Sequence, residues 1–173
     1  MVQTPVENPS FVPEEADVLA RVAGLPVDLS AMAVVANAWR AAQGIRTYLE
    51  REVLRPEGLS FAGFSLLFNL WVWGPMETRA VAESMTCSRA TVSSVSRTLE
   101  KRGLVARRGD ERDRRLVLLE LTPAGRRMMD ELYPRFNGGE TRLTARLSER
   151  ERTTLARLLR RLVVATKEGT AEH

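Results

Sequence analysis

The chain has 173 residues, 44% hydrophobic and 28% charged, which suits one sizeable folded core and sets aside the disordered and low-complexity classes. A net charge of +4 favours an anionic partner. The single cysteine, Cys87, excludes an internal disulfide framework and fits a reducing cytoplasm, and the single histidine, His173, argues against a metal site.

Residues 1–12 hold Pro5 and Pro9 without periodicity and read as a flexible arm. Pro13 opens a short helix with Glu14 and Glu15 at its positive end, and Pro26 breaks it. Five acids against Arg21 make residues 1–30 acidic. Ser30 starts a long helix over residues 30–54, closed by "PEG". Ser60 caps "FAGFSLLFNLW", whose Phe61, Phe64, Leu67, Phe68 and Trp71 make a broad apolar face, widened by Leu66 and Leu70. The uncharged residues 58–76 include Ser60, Ser65 and Asn69 and end in Gly-Pro. That favours a core helix over a membrane span.

A short helix over 78–85 turns Val81, Ala82 and Met85 inward. Only Thr86 and Cys87 separate it from the next helix, which begins at Ser88, so the pair is a helix-turn-helix. After Gly103 the period changes: "LVARR" and "RLVLLELT" read as strands around the charged turn "GDERDR". "TPAG" caps a further helix, which Pro134 kinks or breaks and Gly138-Gly139 loosens. Ser148 with Glu151 forms a capping box for the last helix, striped by Leu155, Leu158, Leu159, Leu162 and Val163. The tail frays after Lys167. The expected fold is mainly α with a small β-hairpin wing: a winged helix-turn-helix over residues 58–122, flanked by a helical region at 29–57 and 123–167, with an N-terminal arm and short helix at 1–28.

The helix in "CSRATVSSVSRTLEKRGLV" points to DNA. At about 100° per residue, Val92, Val95 and Leu99 share one stripe, while Ala90, Ser93, Ser94, Arg97 and Lys101 lie on the far side. Short hydroxyls and one methyl let a helix axis approach base edges in the major groove, and Arg89 and Arg97 suit guanine or phosphate. Arg112, Arg114 and Arg115 at the hairpin tip suit the neighbouring minor groove. Residues 88–121 hold nine bases against five acids. A solvated turn and a protein-docking winged helix without specific DNA binding are the competing readings.

The stretches "LSFAGFSLLFNLW", "VAESMTCSRATVSSVSRTLEKRGLVARRGDERDRRLVLLELTPAGRRM" and "LSERERTTLARLLRRL" resemble the MarR family of bacterial transcription regulators. The resemblance runs over residues 30–164. It implies a homodimer built through the first and last helices, binding double-stranded DNA at a palindromic operator and released by a small molecule or by oxidation. By position, Ser88, Arg89, Ala90, Thr91, Ser93, Ser94 and Arg97 would face the major groove. Asp113 and Arg115 match the family's wing Asp-x-Arg, in which the Arg enters the minor groove and the Asp steadies it. Two positions depart from the pattern: Ser94 stands where Arg is common, and Thr86 stands where Gly is usual, which implies a turn without positive φ.

Trp39, Tyr48, Phe64, Phe68 and Trp71, with Phe61, Trp73 and Phe136, either line a pocket for a small aromatic or phenolic effector or are plain core. Cys87 is either a redox sensor at a helix N-terminus or a small buried hydrophobe. The long and last helices either pair with a second chain or pack on each other. No catalytic triad, Gly-rich phosphate loop or HExxH motif is present, so neither an enzyme nor a bound cofactor is expected.

Overall fold

The computed structural model of the chain describes residues 13–109 and 117–171. The arm expected at 1–12 lies outside them. The described residues form two compact units that divide between Arg46 and Thr47.

The first unit holds α1 (Pro13–Val22) and most of α2 (Leu29–Leu49). Asp28, and not Ser30, caps α2. Its carboxylate accepts from the backbone N–H of Ser30 at 2.9 Å and of Ala31 at 3.0 Å, and from the Ser30 hydroxyl. These bonds, the Ala31 amide first, hold the carboxyl below its ordinary 3.8. A carboxylate at the positive end of a helix outcompetes a hydroxyl two residues later.

In the second unit the long helix does not stay α-helical to residue 54. A π-helical turn (Glu50–Leu54) and a 3-10 turn (Arg55–Glu57) follow α2, and Gly58 turns left-handed at φ 64°. Pro56 lacks the N–H that would continue the ladder. The Glu50 carboxylate instead accepts from the N–H of Phe61, the first residue of α3 (Phe61–Trp73). The Ser60 hydroxyl caps the same helix by accepting from Gly63 N–H at 3.1 Å. Phe64, Leu66, Leu67 and Leu70 of α3 are buried, with Leu54, Val81, Val92, Leu99, Leu119, Met129, Leu132 and Phe136 around them.

A strand that the sequence pattern did not announce follows: β1 (Met76–Glu77), two residues long and too short for any alternation. With β2 (Val105–Gly109) and β3 (Val117–Leu121) it makes an antiparallel sheet in the order β1-β3-β2. Leu119 pairs with Met76 on one side and Arg107 on the other.

Between α4 (Thr78–Ser84) and α5 (Arg89–Lys101), Thr86 has φ 50°. The expectation of a turn without positive φ was wrong, and the hydrogen bonds give the reason. Cys87 N–H bonds Ala82 C=O and Thr86 N–H bonds Glu83 C=O, the Schellman closure that needs a left-handed residue after the cap. The same closure ends α5 at Gly103, φ 69°. A β-branched residue is strained where glycine is not. Thr86→Gly should therefore stabilise the protein by about 0.5–1 kcal/mol, the relief of strain exceeding the added chain entropy. A rise in the urea midpoint checks this, and an unchanged or lower midpoint would show that the strain does not exceed the chain entropy glycine adds.

α6 (Pro123–Leu143) is one continuous helix through Pro134, neither broken there nor loosened at Gly138-Gly139. Gly125, Met129, Leu132, Phe136 and Gly139 are buried at alternating three- and four-residue steps on both sides of the proline, which is itself exposed. Burial of that stripe outweighs the proline's helix penalty of about 3 kcal/mol. Gly139 is a crossing point and not a joint: a Cβ there would lie 2.6 Å from Leu49 Cδ2. The Ser148–Glu151 capping box is formed, with Glu151 accepting from Ser148 N–H at 2.8 Å and from its hydroxyl at 2.6 Å. It opens α7 (Glu149–Ala171), which continues past Lys167 instead of fraying there.

Candidate nucleic-acid interface

Ser88 begins the interface as the N-cap of α5. Its hydroxyl accepts from Thr91 N–H at 3.1 Å and shares a 2.8 Å bond with the Thr91 hydroxyl. Capping thus occupies part of both hydroxyls. Val92 and Leu99 are buried and Val95 half-buried, which turns the opposite face outward. On that face Arg89, Ala90, Ser94, Arg97 and Lys101 are exposed, and Ser93 is half-buried. Arg97 Nε donates to Ser93 C=O at 3.1 Å, which lays the guanidinium along the helix. The result is a flat, hydroxyl- and methyl-bearing surface flanked by cations.

Three arginines that the sequence reading did not single out tie this helix and its neighbouring segment in place. Arg102 follows the last turn of α5 and reaches across 44 residues. Its Nη1 donates to Gly58 C=O at 2.7 Å and its Nη2 to Glu57 C=O at 2.8 Å. Arg135 of α6 grips the same segment through the Glu57 carboxylate at 2.6 Å. Arg107 of β2 bonds Ser96 and Glu100 on α5. Ser96 was legible in part, since a hydroxyl at the stripe position between Val92 and Leu99 calls for a partner.

An open depression between α4 and the start of α5 is lined by Arg79, Thr86, Cys87, Ser88 and Arg89. Arg79 is not free there, since its Nε bonds Glu83 at 2.8 Å. Cys87 is half-buried and packs against the core. The wing's two strands are described, but Arg112, Asp113, Arg114 and Arg115 at its tip lie outside the described residues.

Of the aromatic set, Tyr48, Phe64, Phe68 and Trp71 belong to the second unit and Trp39 to the first, where it is 67% exposed. Phe64 is 5% exposed and stacks on Phe136 with ring centroids 4.1 Å apart. Phe68 and Trp71 are half-buried against Tyr133, at 5.5 and 5.2 Å, and Trp71 Nε1 donates to Asp130 at 2.8 Å. The Tyr48 hydroxyl accepts from Arg142 Nε. Among the described residues there is no cluster of three or more His, Cys, Asp or Glu able to hold a metal, and no helix is long and apolar enough to cross a membrane.

The MarR family model matches residues 59–117, the span from the start of α3 to the wing. The HTH-type transcriptional regulator YwaE of Bacillus subtilis, itself uncharacterised, is 43% identical over 86% of this chain and 89% of its own length. The chain belongs to the MarR family. It is a transcriptional regulator with a DNA-binding winged helix, and not an enzyme. Two solved structures are similar over three quarters or more of this chain. BpsR of Bordetella bronchiseptica, whose DNA binding is regulated by 6-hydroxynicotinic acid, matches at 29% identity with a TM-score of 0.68, covering 75% of this chain and 92% of that one. PcaV of Streptomyces coelicolor, in complex with its natural ligand, matches at 28% identity with a TM-score of 0.68, covering 81% and 97%.

Proposed function

We propose that this MarR-family regulator works in the cytoplasm as a homodimeric repressor on a palindromic operator and leaves it when a small aromatic or phenolic effector binds. The observation that carries the reading is the exposed face of α5, with Ala90 and Ser94 between Arg89, Arg97 and Lys101. Such a face suits a major groove, and one recognition helix alone reads too few bases for tight specificity. A second copy supplies the second half-site, and the apolar stripe of α7 supports pairing. Every residue from 148 to 168 is exposed, including Leu155, Leu158, Leu159 and Leu162.

In this reading residues 58–122 bind DNA, and 29–57 with 123–167 bring two chains together. Arg115, steadied by Asp113, enters the minor groove, with Arg112 and Arg114 on the backbone. The relatives regulated by or complexed with small ligands support an effector, and the half-buried faces of Phe68 and Trp71 suit a planar one. The ligand can release DNA only by favouring a conformation that does not fit both half-sites. The non-α backbone at Glu50–Leu54 and Arg55–Glu57 and the left-handed Gly58 supply a place for that change.

Selection from a pool of randomised duplexes at near-physiological salt tests the reading. It should enrich an inverted repeat with half-sites about one helical turn apart. Enrichment of nothing, with only weak salt-sensitive binding, would overturn it in favour of a winged helix that docks a protein.

A further inference from the structure

We propose that Arg107 and Ser96 clamp the wing to the recognition helix, which makes Arg107 a positioning residue for operator discrimination. The inference rests on the DNA-binding reading above.

Ser96 is the starting point. It lies between Val92 and Leu99 on the buried stripe of α5 and is 0% exposed. A hydroxyl is costly there unless bonded, and serine is a poorer helix former than alanine. Its hydroxyl donates to Ser93 C=O at 3.3 Å and accepts from Arg107 Nη2 at 2.8 Å. The same guanidinium donates through Nε to Glu100 at 3.0 Å. One planar group from β2 thus takes two acceptors spaced one turn apart on α5. Lysine has no fork to do this.

The placement gives the clamp its consequence. Strand alternation sets Arg107 on the same face of β2 as the buried Val105 and turns Arg108 to the other face, 4.0 Å from Glu120. The β2–β3 ladder fixes the wing's own register, Arg107 opposite Leu119, but not its distance from α5. A winged helix reads two grooves at once, so that distance decides whether helix and hairpin tip engage together. The Arg107 side chain spans the gap at the middle of β2. It is therefore paired to α5, although its side chain stays 38% exposed.

Ser96 allows a clean test because it is buried and uncharged. Ser96→Ala removes one acceptor without changing charge or any surface that DNA touches. Affinities of wild type, Ser96→Ala, Arg107→Lys and the double variant are measured across a salt series. The probes are the enriched duplex and a scrambled duplex of the same length. Each single variant should bind the enriched duplex about tenfold more weakly. Binding of the scrambled duplex should change little. The salt slope should be shallower by about 1 for each phosphate contact the wing loses. The double variant should be no worse than either single one. Wild-type affinity, discrimination and slope in Ser96→Ala would overturn the clamp, since a purely structural role moves only stability.

Amide hydrogen exchange on the free variants gives an answer that needs no operator. Exchange in β2 and β3 should quicken while α3 stays protected, and unchanged β2 and β3 would also overturn the proposal. If wild type enriches no duplex, the DNA reading fails, and the exchange result still judges the clamp.

Discussion

Gly125→Ala should destabilise the protein by about 2–3 kcal/mol, although alanine is the better helix former by about 1 kcal/mol. A Cβ on Gly125 would lie 2.0 Å from the carbonyl oxygen of Leu104 and 3.0 Å from its carbonyl carbon. Those atoms are backbone, so no side-chain rotation relieves the clash. Nor can Leu104 retreat cheaply, because its carbonyl accepts from Thr122 N–H at 3.1 Å. Thr122 in turn donates its hydroxyl to Gly103 C=O at 2.6 Å and caps α6 by accepting from Gly125 N–H at 3.0 Å. The first turn of α6 is therefore seated directly on the link between the recognition helix and the wing. Gly138→Ala in the same helix is the control, since a Cβ there meets only Arg142 Nη1, at 3.8 Å. It should be neutral or stabilising by up to about 1 kcal/mol. Urea midpoints at one fixed protein concentration check the pair. Equal effects of the two substitutions would show that α6 can shift at no cost.

These contacts mark the limit of what periodicity makes legible. Local chemistry was readable at most capped helix ends: Ser60, Ser88, Thr122 and the Ser148–Glu151 box cap as their positions imply, while at α2 Asp28 takes the place expected of Ser30. The α5 stripe was readable too, because burial of Val92 and Leu99 leaves Ala90, Ser94 and Arg97 outward. What escaped depends on partners distant in sequence. Pro134 predicts a break by propensity, but Met129, Leu132 and Phe136 pack across it. Thr86 takes a positive φ because the α4 Schellman closure demands one, whatever residue is present. Arg102 looks like another surface cation of "LEKRG", yet it bonds two carbonyls that only the fold brings near. Arg107 counted toward a basic patch and is paired to α5. In the aromatic set, Phe64 is core while Phe68 and Trp71 keep partly open faces, a difference that residue type alone does not encode.

Leu158→Glu should turn a dimer into a monomer at micromolar concentration and weaken operator binding by more than about a hundredfold. Leu155, Leu158, Leu159 and Leu162 are 44, 42, 41 and 37% exposed and share one side of α7. Val163, 53% exposed, extends the apolar surface. Four leucines at three- and four-residue spacing are the pattern of a helix that buries one face, and contiguous exposed apolar area of this kind marks an interaction site. A carboxylate within that stripe must lose its hydration without a partner if the helix is covered. If the helix is bare, the same carboxylate costs almost nothing. Stability of the winged-helix core should not change in either case, since none of these leucines belongs to it. Arg157→Ala, on the opposite side of α7, leaves the stripe intact and should leave oligomeric state unchanged. Sedimentation of the three proteins, followed by titration against the enriched duplex, separates the cases. A dimeric Leu158→Glu variant would place the pairing surface elsewhere. A monomeric variant that still bound the inverted repeat tightly would remove pairing from the account of specificity.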